Sequence, residues 1–272
     1  MKRKPALAYA AMAVMALISI APLAWVFISS LKSYSEINSS AFSLPARPRF
    51  DNYVSAFRHA PILRYFANSV VIVGAGIALT VTLVAMSAYA AARFRFRAKP
   101  VIIALFAVSL LLPAQSITQP LFALYTALNL FDTKAGLVLV YAAMGIPIAF
   151  FVMYGYYATL PLALEESAYI DGAGFFKTFT RIILPMAKPG LATVVILQFT
   201  DTWNEFYYAL MLTSGNRART VPIALNYYMS AFANNYSALF AAVVVTVAPT
   251  IVFFVVMQRQ VIDGLTSGAV KG

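Results

Sequence analysis

The residues best placed to do work sit in one polar stretch, Glu165-Glu166-Ser167-Ala168-Tyr169-Ile170-Asp171-Gly172, followed by Ile182, Leu184 and Pro185. Five of the nine acidic residues of the 272-residue chain fall between 165 and 205, three of them in this stretch. The other two, Asp201 and Glu205, lie four apart inside an apolar run, on one face if that run is a single helix. Carboxylates in such a setting can grip a partner, line a polar pathway, carry ions or hold helices together. They cannot form a thiolate or zinc site, because Cys is absent and His59 is the only histidine.

The surroundings of these residues are apolar. Hydrophobic residues make up 62% of the chain, charged residues 11%, and the mean hydropathy is +0.80. A soluble domain carries about 25% charged residues. The surplus therefore reads as lipid-facing surface. Six apolar stretches, 6–30, 68–92, 101–125, 135–158, 190–212 and 238–258, each have about the 20 residues that a helix needs to cross roughly 30 Å of hydrocarbon. β-barrel alternation is absent, so the expectation is an all-α integral membrane protein with six transmembrane helices in a single domain, residues 1–272. The polar loop 159–189 then joins the fourth and fifth spans.

Orientation follows from the basic residues. Arg93, Arg95, Arg97 and Lys99 place four positive charges in seven residues beside a helix end, which resists translocation. Together with Lys2, Arg3, Lys4 and Lys271 they predict that both termini, and the 159–189 loop, face the cytoplasm. The external 31–67 segment, with Pro45, Pro48 and Pro61, is expected to be an irregular cap. The net charge of +11 is spread over the loops, where anionic lipid headgroups account for it. It gives no ground for nucleic-acid binding.

The polar loop has helical grammar of its own. Pro161 suits a first helical turn, and Glu165 and Glu166 lie where the macrodipole favours carboxylates. Gly172 can supply the left-handed residue that stops a helix. A second amphipathic run follows through Phe175, Phe176, Phe179, Ile182 and Ile183, closed by Pro185 and Pro189. Two readings stay open at this level: a helical hairpin lying on the membrane surface, or a docking site for a cytoplasmic partner. A nucleotide loop is excluded, since Phe176 stands where a P-loop has its second glycine and no strand precedes it.

The spacing resembles the signature of bacterial ABC importer permeases. In that family Glu-Ala-Ala is followed by three residues, Gly, nine residues, then Ile-x-Leu-Pro. Here Glu166-Ser167-Ala168 is followed by three residues, Gly172, nine residues, then Ile182-Ile183-Leu184-Pro185, with Ser167 replacing the first Ala. Gln198-Phe199 with Trp203-Asn204-Glu205-Phe206, and the tail from Gln258 to Gly272, are similar to the carbohydrate-uptake branch and its smaller, maltose-permease G-type subunit.

The resemblance implies a type I ABC importer permease fold whose loop forms coupling helices that insert into an ATP-binding subunit. Coupling would rest on Glu165, Glu166, Ser167, Ala168, Asp171, Gly172, Ile182, Leu184 and Pro185. It further implies a sugar or oligosaccharide cargo, a second permease subunit, two cytoplasmic ATPases that hold ATP and Mg, and an external solute-binding protein. This chain would bind no cofactor and catalyse no reaction. Candidates for a substrate pathway are Gln115, Gln119, Asp201, Asn204, Glu205, Tyr207 and Tyr208. The alternatives are an ATP-independent transporter or channel using Asp201 and Glu205, and the same importer class carrying glycerol phosphate or a polyol.

Overall fold

A computed structural model of the protein describes residues 4–231 and 236–269. Lys2, Arg3 and Lys271, used above for orientation, lie outside the described residues, as do Val270 and Gly272 of the tail. All regular structure among the described residues is helical, as expected. The chain begins with α1 (Lys4–Ser30), α2 (Tyr34–Ser39), α3 (Asp51–His59) and α4 (Ile62–Arg93). Next come α5 (Lys99–Ser109), α6 (Thr118–Ala127), α7 (Lys134–Thr159), α8 (Ala163–Ile170) and α9 (Phe175–Thr178). The remainder is α10 (Leu184–Met186), α11 (Lys188–Trp203), α12 (Tyr207–Leu212), α13 (Val221–Ala231) and α14 (Tyr236–Ala269).

Among the described residues, four helical segments are long and apolar enough to cross a membrane: Ala8–Ser30, Ile62–Arg93, Lys134–Thr159 and Tyr236–Met257. They fall on the expected spans 6–30, 68–92, 135–158 and 238–258. A fifth crossing results if Phe175–Met186 and Lys188–Trp203, bent by 69°, count as one span. The protein is thus a multi-pass membrane protein.

Two expected spans are not continuous helices. In 101–125, α5 ends at Ser109 and α6 starts only at Thr118, with a 3-10 turn at Ala114–Ile117 between them. Pro113 has no N–H to give and its ring conflicts with the carbonyl of Ser109, which stops the helix there. The 11 residues of α5 rise about 16 Å, far short of the hydrocarbon thickness. The expected span 190–212 breaks at residues 204–206.

The chain folds as two compact units. One holds the described residues of Met1–Tyr65 and Val221–Pro249. Its α1 exposes apolar side chains on all sides, including Met15, Leu17 and Ile18, as a lipid-facing helix must. The segment after α1 is more ordered than an irregular cap. Ser33 and Glu36 form a capping box that starts α2: the Glu36 N–H donates to Ser33 Oγ, and the Ser33 N–H donates to Glu36 Oε2 at 2.7 Å. Lys32 is fully buried, and its Nζ donates to the carbonyls of Ser40 and Ala41 at 3.1 and 3.0 Å. The Tyr228 hydroxyl donates to the Ala56 carbonyl and ties α13 to α3.

The second unit holds Phe66–Thr220 and the described residues from Thr250. Its spine is α7, which buries Leu137, Val140, Tyr141, Phe150 and Met153. One core joins α7 to Val84, Ala88 and Tyr89 of α4, to Phe179 and Ile183 of the polar loop, and to Val194 of α11. The loop is therefore packed into the ends of the helices that frame it.

Candidate functional site

The polar loop is built around α8. Glu165 and Glu166 stand in its first turn, where exposed N–H groups favour negative charge. At its other end Gly172 has φ +76°, the left-handed conformation expected of it. The Ala173 N–H donates to Ala168 O at 2.9 Å and the Gly172 N–H to Tyr169 O at 3.0 Å, the pair of bonds of a Schellman cap. A Cβ added at Gly172 would meet nothing within 4 Å, so the backbone, not space, requires glycine here. Ala168 is buried, whereas Glu166, Ser167 and Asp171 are exposed. The Ser167 hydroxyl turns back to the carbonyl of Ala163 at 2.8 Å.

Glu165 differs from its neighbours. Its side chain is only 7% exposed and forms an ion pair with the equally buried Arg93, whose Nε donates to Oε1 at 2.5 Å. The Tyr89 hydroxyl donates to Oε2 at 2.9 Å. The second arm of the guanidinium, Nη2, donates to the carbonyl of Leu160 at 2.8 Å. One side chain thus joins the end of α4, the residue that closes α7, and the first turn of α8. Aromatic rings enclose the group: Tyr89 lies 5.0 Å from Phe179, 5.8 Å from Phe175 and 5.5 Å from Tyr157, centroid to centroid. In such a setting, removing one partner of an ion pair strands the other charge, at a cost of about 3–5 kcal/mol.

After Gly174 the chain forms α9, then a π-helical segment at Phe179–Ile183, then α10. The Leu184 N–H reaches back five residues to Phe179 O. Pro185 cannot accept an ordinary turn here, because it lacks an N–H and its ring crowds the carbonyl of Arg181; a widened turn relieves that. Ile182 and Leu184 are half-buried against the core, and Pro185 is exposed. The chain bends at Ala187 and restarts as α11, with Pro189 in its first turn. Gly190 is needed at the bend, since a Cβ would stand 2.8 Å from the Tyr156 ring.

The pathway candidates scatter. Asp201 lines a cavity of about 210 Å³ between α7 and α11, together with Gln198, Thr202 and Gly145. Gln198 is buried; its Nε2 donates to the Tyr141 carbonyl at 2.7 Å, and its carboxamide fills the space a side chain at Gly145 would occupy. Tyr208 lines a second cavity of about 350 Å³ with Tyr125, Pro147 and residues of α5 and α6. Tyr207 shares a 2.8 Å hydrogen bond with Thr118. Asn204 is exposed, its Nδ2 donating to Thr200 O at 2.8 Å. Gln115 and Gln119 are exposed and line neither cavity.

Asp201 and Glu205 do not share a helical face. The helix ends at Trp203, and Glu205 lies in the break before the next one, which starts at Tyr207. Its carboxylate accepts the N–H groups of Tyr208 at 2.7 Å and Ala209 at 3.0 Å, and the Tyr141 hydroxyl at 3.0 Å. A side chain that caps the following turn competes with helix continuation, which explains the break in the expected fifth span. Glu205 thus ties α7 to the first turn of α12.

Sequence reasoning missed Arg93 and Tyr89 as site residues, because Arg93 was counted only as a topology charge. A signal existed: the two are four apart, on one helix face, at the very end of an apolar run. Tyr141, the partner of Glu205, carried no local signal inside its apolar span.

Residues 56–266 match the family model of the binding-protein-dependent transport system inner membrane component. The chain is 37% identical to the diacetylchitobiose uptake system permease protein NgcG of Streptomyces coelicolor, over 99% of this chain and 90% of that protein. It is 36% identical to the trehalose transport system permease protein SugB of Mycobacterium tuberculosis, over 93% of each. The fold matches a chain of a bacterial ABC transporter involved in import of the acidic polysaccharide alginate, with TM-score 0.81, 22% identity and coverage of 94% and 95%. The family match, the relatives and the fold agree: this chain belongs to the binding-protein-dependent transport system inner membrane components, as a permease of carbohydrate ABC importers.

Proposed function

We propose that the chain, acting as one permease domain of six crossings, forms half of a pore for a sugar or oligosaccharide and is driven through its 159–189 loop by ATPase subunits that carry ATP and Mg. The fragments α5–α6 and α11–α12 supply the third and fifth crossings in pieces, beside the four long helices. Both termini and the loop lie on the cytoplasmic side. A second permease subunit completes the pore, and an external solute-binding protein delivers cargo. Relatives of nearly equal identity are named for diacetylchitobiose and for trehalose, which supports a sugar of small size as the cargo class.

The observation that carries the docking role is the exposed surface around Gly172. Ile170 is 85% exposed and Phe176 67%; both belong to the 159–189 loop, outside the four long apolar helices, as do the exposed carboxylates of Glu166 and Asp171. Apolar groups rimmed by charge, away from lipid, suit a protein groove. Glu166, Ser167, Asp171 and Gly172 form that outer surface; Glu165, Ala168, Ile182 and Leu184 hold it from behind, and Pro185 follows the π-helical turn in α10.

Charge reversal tests the assignment. Glu166→Lys should weaken retention of the ATPase subunits and lower ATP hydrolysis by the assembled complex while leaving membrane insertion intact. Undiminished association and hydrolysis in that variant would contradict the docking role.

A further inference from the structure

We propose that Arg93 is a positioning residue: by holding Glu165 and the Leu160 carbonyl at once, it makes α8 and the adjoining ends of α4 and α7 one rigid lever. The proposal rests on the docking role of α8 and adds the route by which a displacement of α8 reaches the spanning helices.

The geometry carries the argument. Arg93 is the last residue of α4, Leu160 follows the last residue of α7, and Glu165 lies in the first turn of α8. Sliding α8 against α4 would strip a buried carboxylate of the Arg93 and Tyr89 donors and leave a buried guanidinium without its anion. An unpaired buried charge is among the least tolerable states in a folded protein. Moving α8 together with the ends of α4 and α7 breaks none of these bonds.

The exit toward α11 has the opposite construction. No ion pair joins α8 to α11 among the described residues. Between them lie Gly172 at positive φ, Gly174 with open space around it, the π-helical turn and the 69° bend at Ala187. Widened turns and bends of this kind mark places where helices change direction. A push on α8 therefore goes rigidly into the ends of α4 and α7, and α11 follows through its own packing on α7, where Gln198 bonds the Tyr141 carbonyl and Gly190 meets Tyr156, rather than through the loop.

This chain contains no cysteine, so with cysteine-free partner subunits spin labels report only from the sites introduced into it. The exposed residues Ser87 on α4 and Ala163 on α8 serve as label sites, in the complete transporter purified with its partner subunits. Pulsed electron resonance with the Ser87→Cys, Ala163→Cys pair should give the same distance without nucleotide and after trapping with ATP and vanadate. Arg93→Met should broaden this distance even without nucleotide, and Arg93→Met with Glu165→Met should narrow it again, since an apolar pair strands no charge. Tyr89→Phe, which keeps the ion pair, should fall between.

A distance that shifts on trapping, or that stays narrow in Arg93→Met, overturns the lever. Failure of the ATPase subunits to co-purify with the wild-type chain would instead remove the docking role, so the two failures are told apart.

Discussion

Arg93 and Glu165 are 72 positions apart in the chain and 2.5 Å apart in the fold. Nε serves Glu165 and Nη2 serves the Leu160 carbonyl, so the clamp uses two arms of one planar group. Lysine carries the charge but has no such fork. Arg93→Lys is therefore expected to lose most of the stabilisation, and Arg93→Met to cost about 3–5 kcal/mol through the stranded carboxylate. Thermal unfolding of the detergent-solubilised protein would check this. A Lys variant as stable as wild type would show that charge alone suffices.

Gly172 should tolerate substitutions by backbone preference rather than size. Its φ of +76° strains any residue with a Cβ, yet a Cβ would find empty space. Gly172→Asn, which enters the left-handed region most readily, should be mild. Gly172→Val should cost about 1–3 kcal/mol and misdirect the chain into α9. ATPase association measured across Asn, Ala and Val should fall in that order. Equal loss in all three would point to a partner filling the space instead.

Glu205 should behave as a cap. Glu205→Ala leaves the amides of Tyr208 and Ala209 and the Tyr141 hydroxyl without their acceptor. A loss of about 2–3 kcal/mol is expected, with Glu205→Gln losing less because one carbonyl oxygen remains. Tyr141→Phe combined with Glu205→Ala should fall short of the sum of the single effects, because the two share one bond. Full additivity would remove the link between α7 and α12.

Glu36 predicts a pH response in the segment between α1 and α3. Hydrogen bonds from the Ser33 backbone N–H, the Ser33 hydroxyl and the Ala46 backbone N–H hold its pKa down to about 2. A carboxyl depressed below its unfolded value of 4.5 stabilises the fold above that pH. The contribution declines as pH falls from there through about 2. Amide exchange at Ser33 and Ala46 should therefore quicken over that window, after allowance for intrinsic rates. Glu36→Gln should exchange faster at neutral pH and respond little to acid.

Much of the fold was legible because it rests on local rules. An apolar run in lipid must satisfy its backbone groups within the segment, and the runs 6–30, 68–92, 135–158 and 238–258 did so as helices. The Gly172 turn was equally readable, since a left-handed cap depends on one residue and its immediate bonds. The Ser33–Glu36 capping box was also local and was passed over among the prolines of that segment. Pro113 was visible too, but whether a proline kinks or stops a helix depends on what satisfies the freed carbonyls nearby.

The carboxylates were another matter. Composition and spacing were enough to establish helices, a membrane setting and the family signature, because each depends on residues near one another in the chain. They could not separate Glu165 from Glu166, or Asp201 from Glu205, since each pair is chemically alike. Only the packing of α4, α7 and α8 turned Glu165 inward to Arg93 and left Glu166 free. Only Tyr141, from a different helix, and the turn at Tyr208 made Glu205 a cap. The role of a charge is decided by what is brought within about 3 Å of it, and for these groups the decisive partners lie on other elements, out of reach of any local pattern.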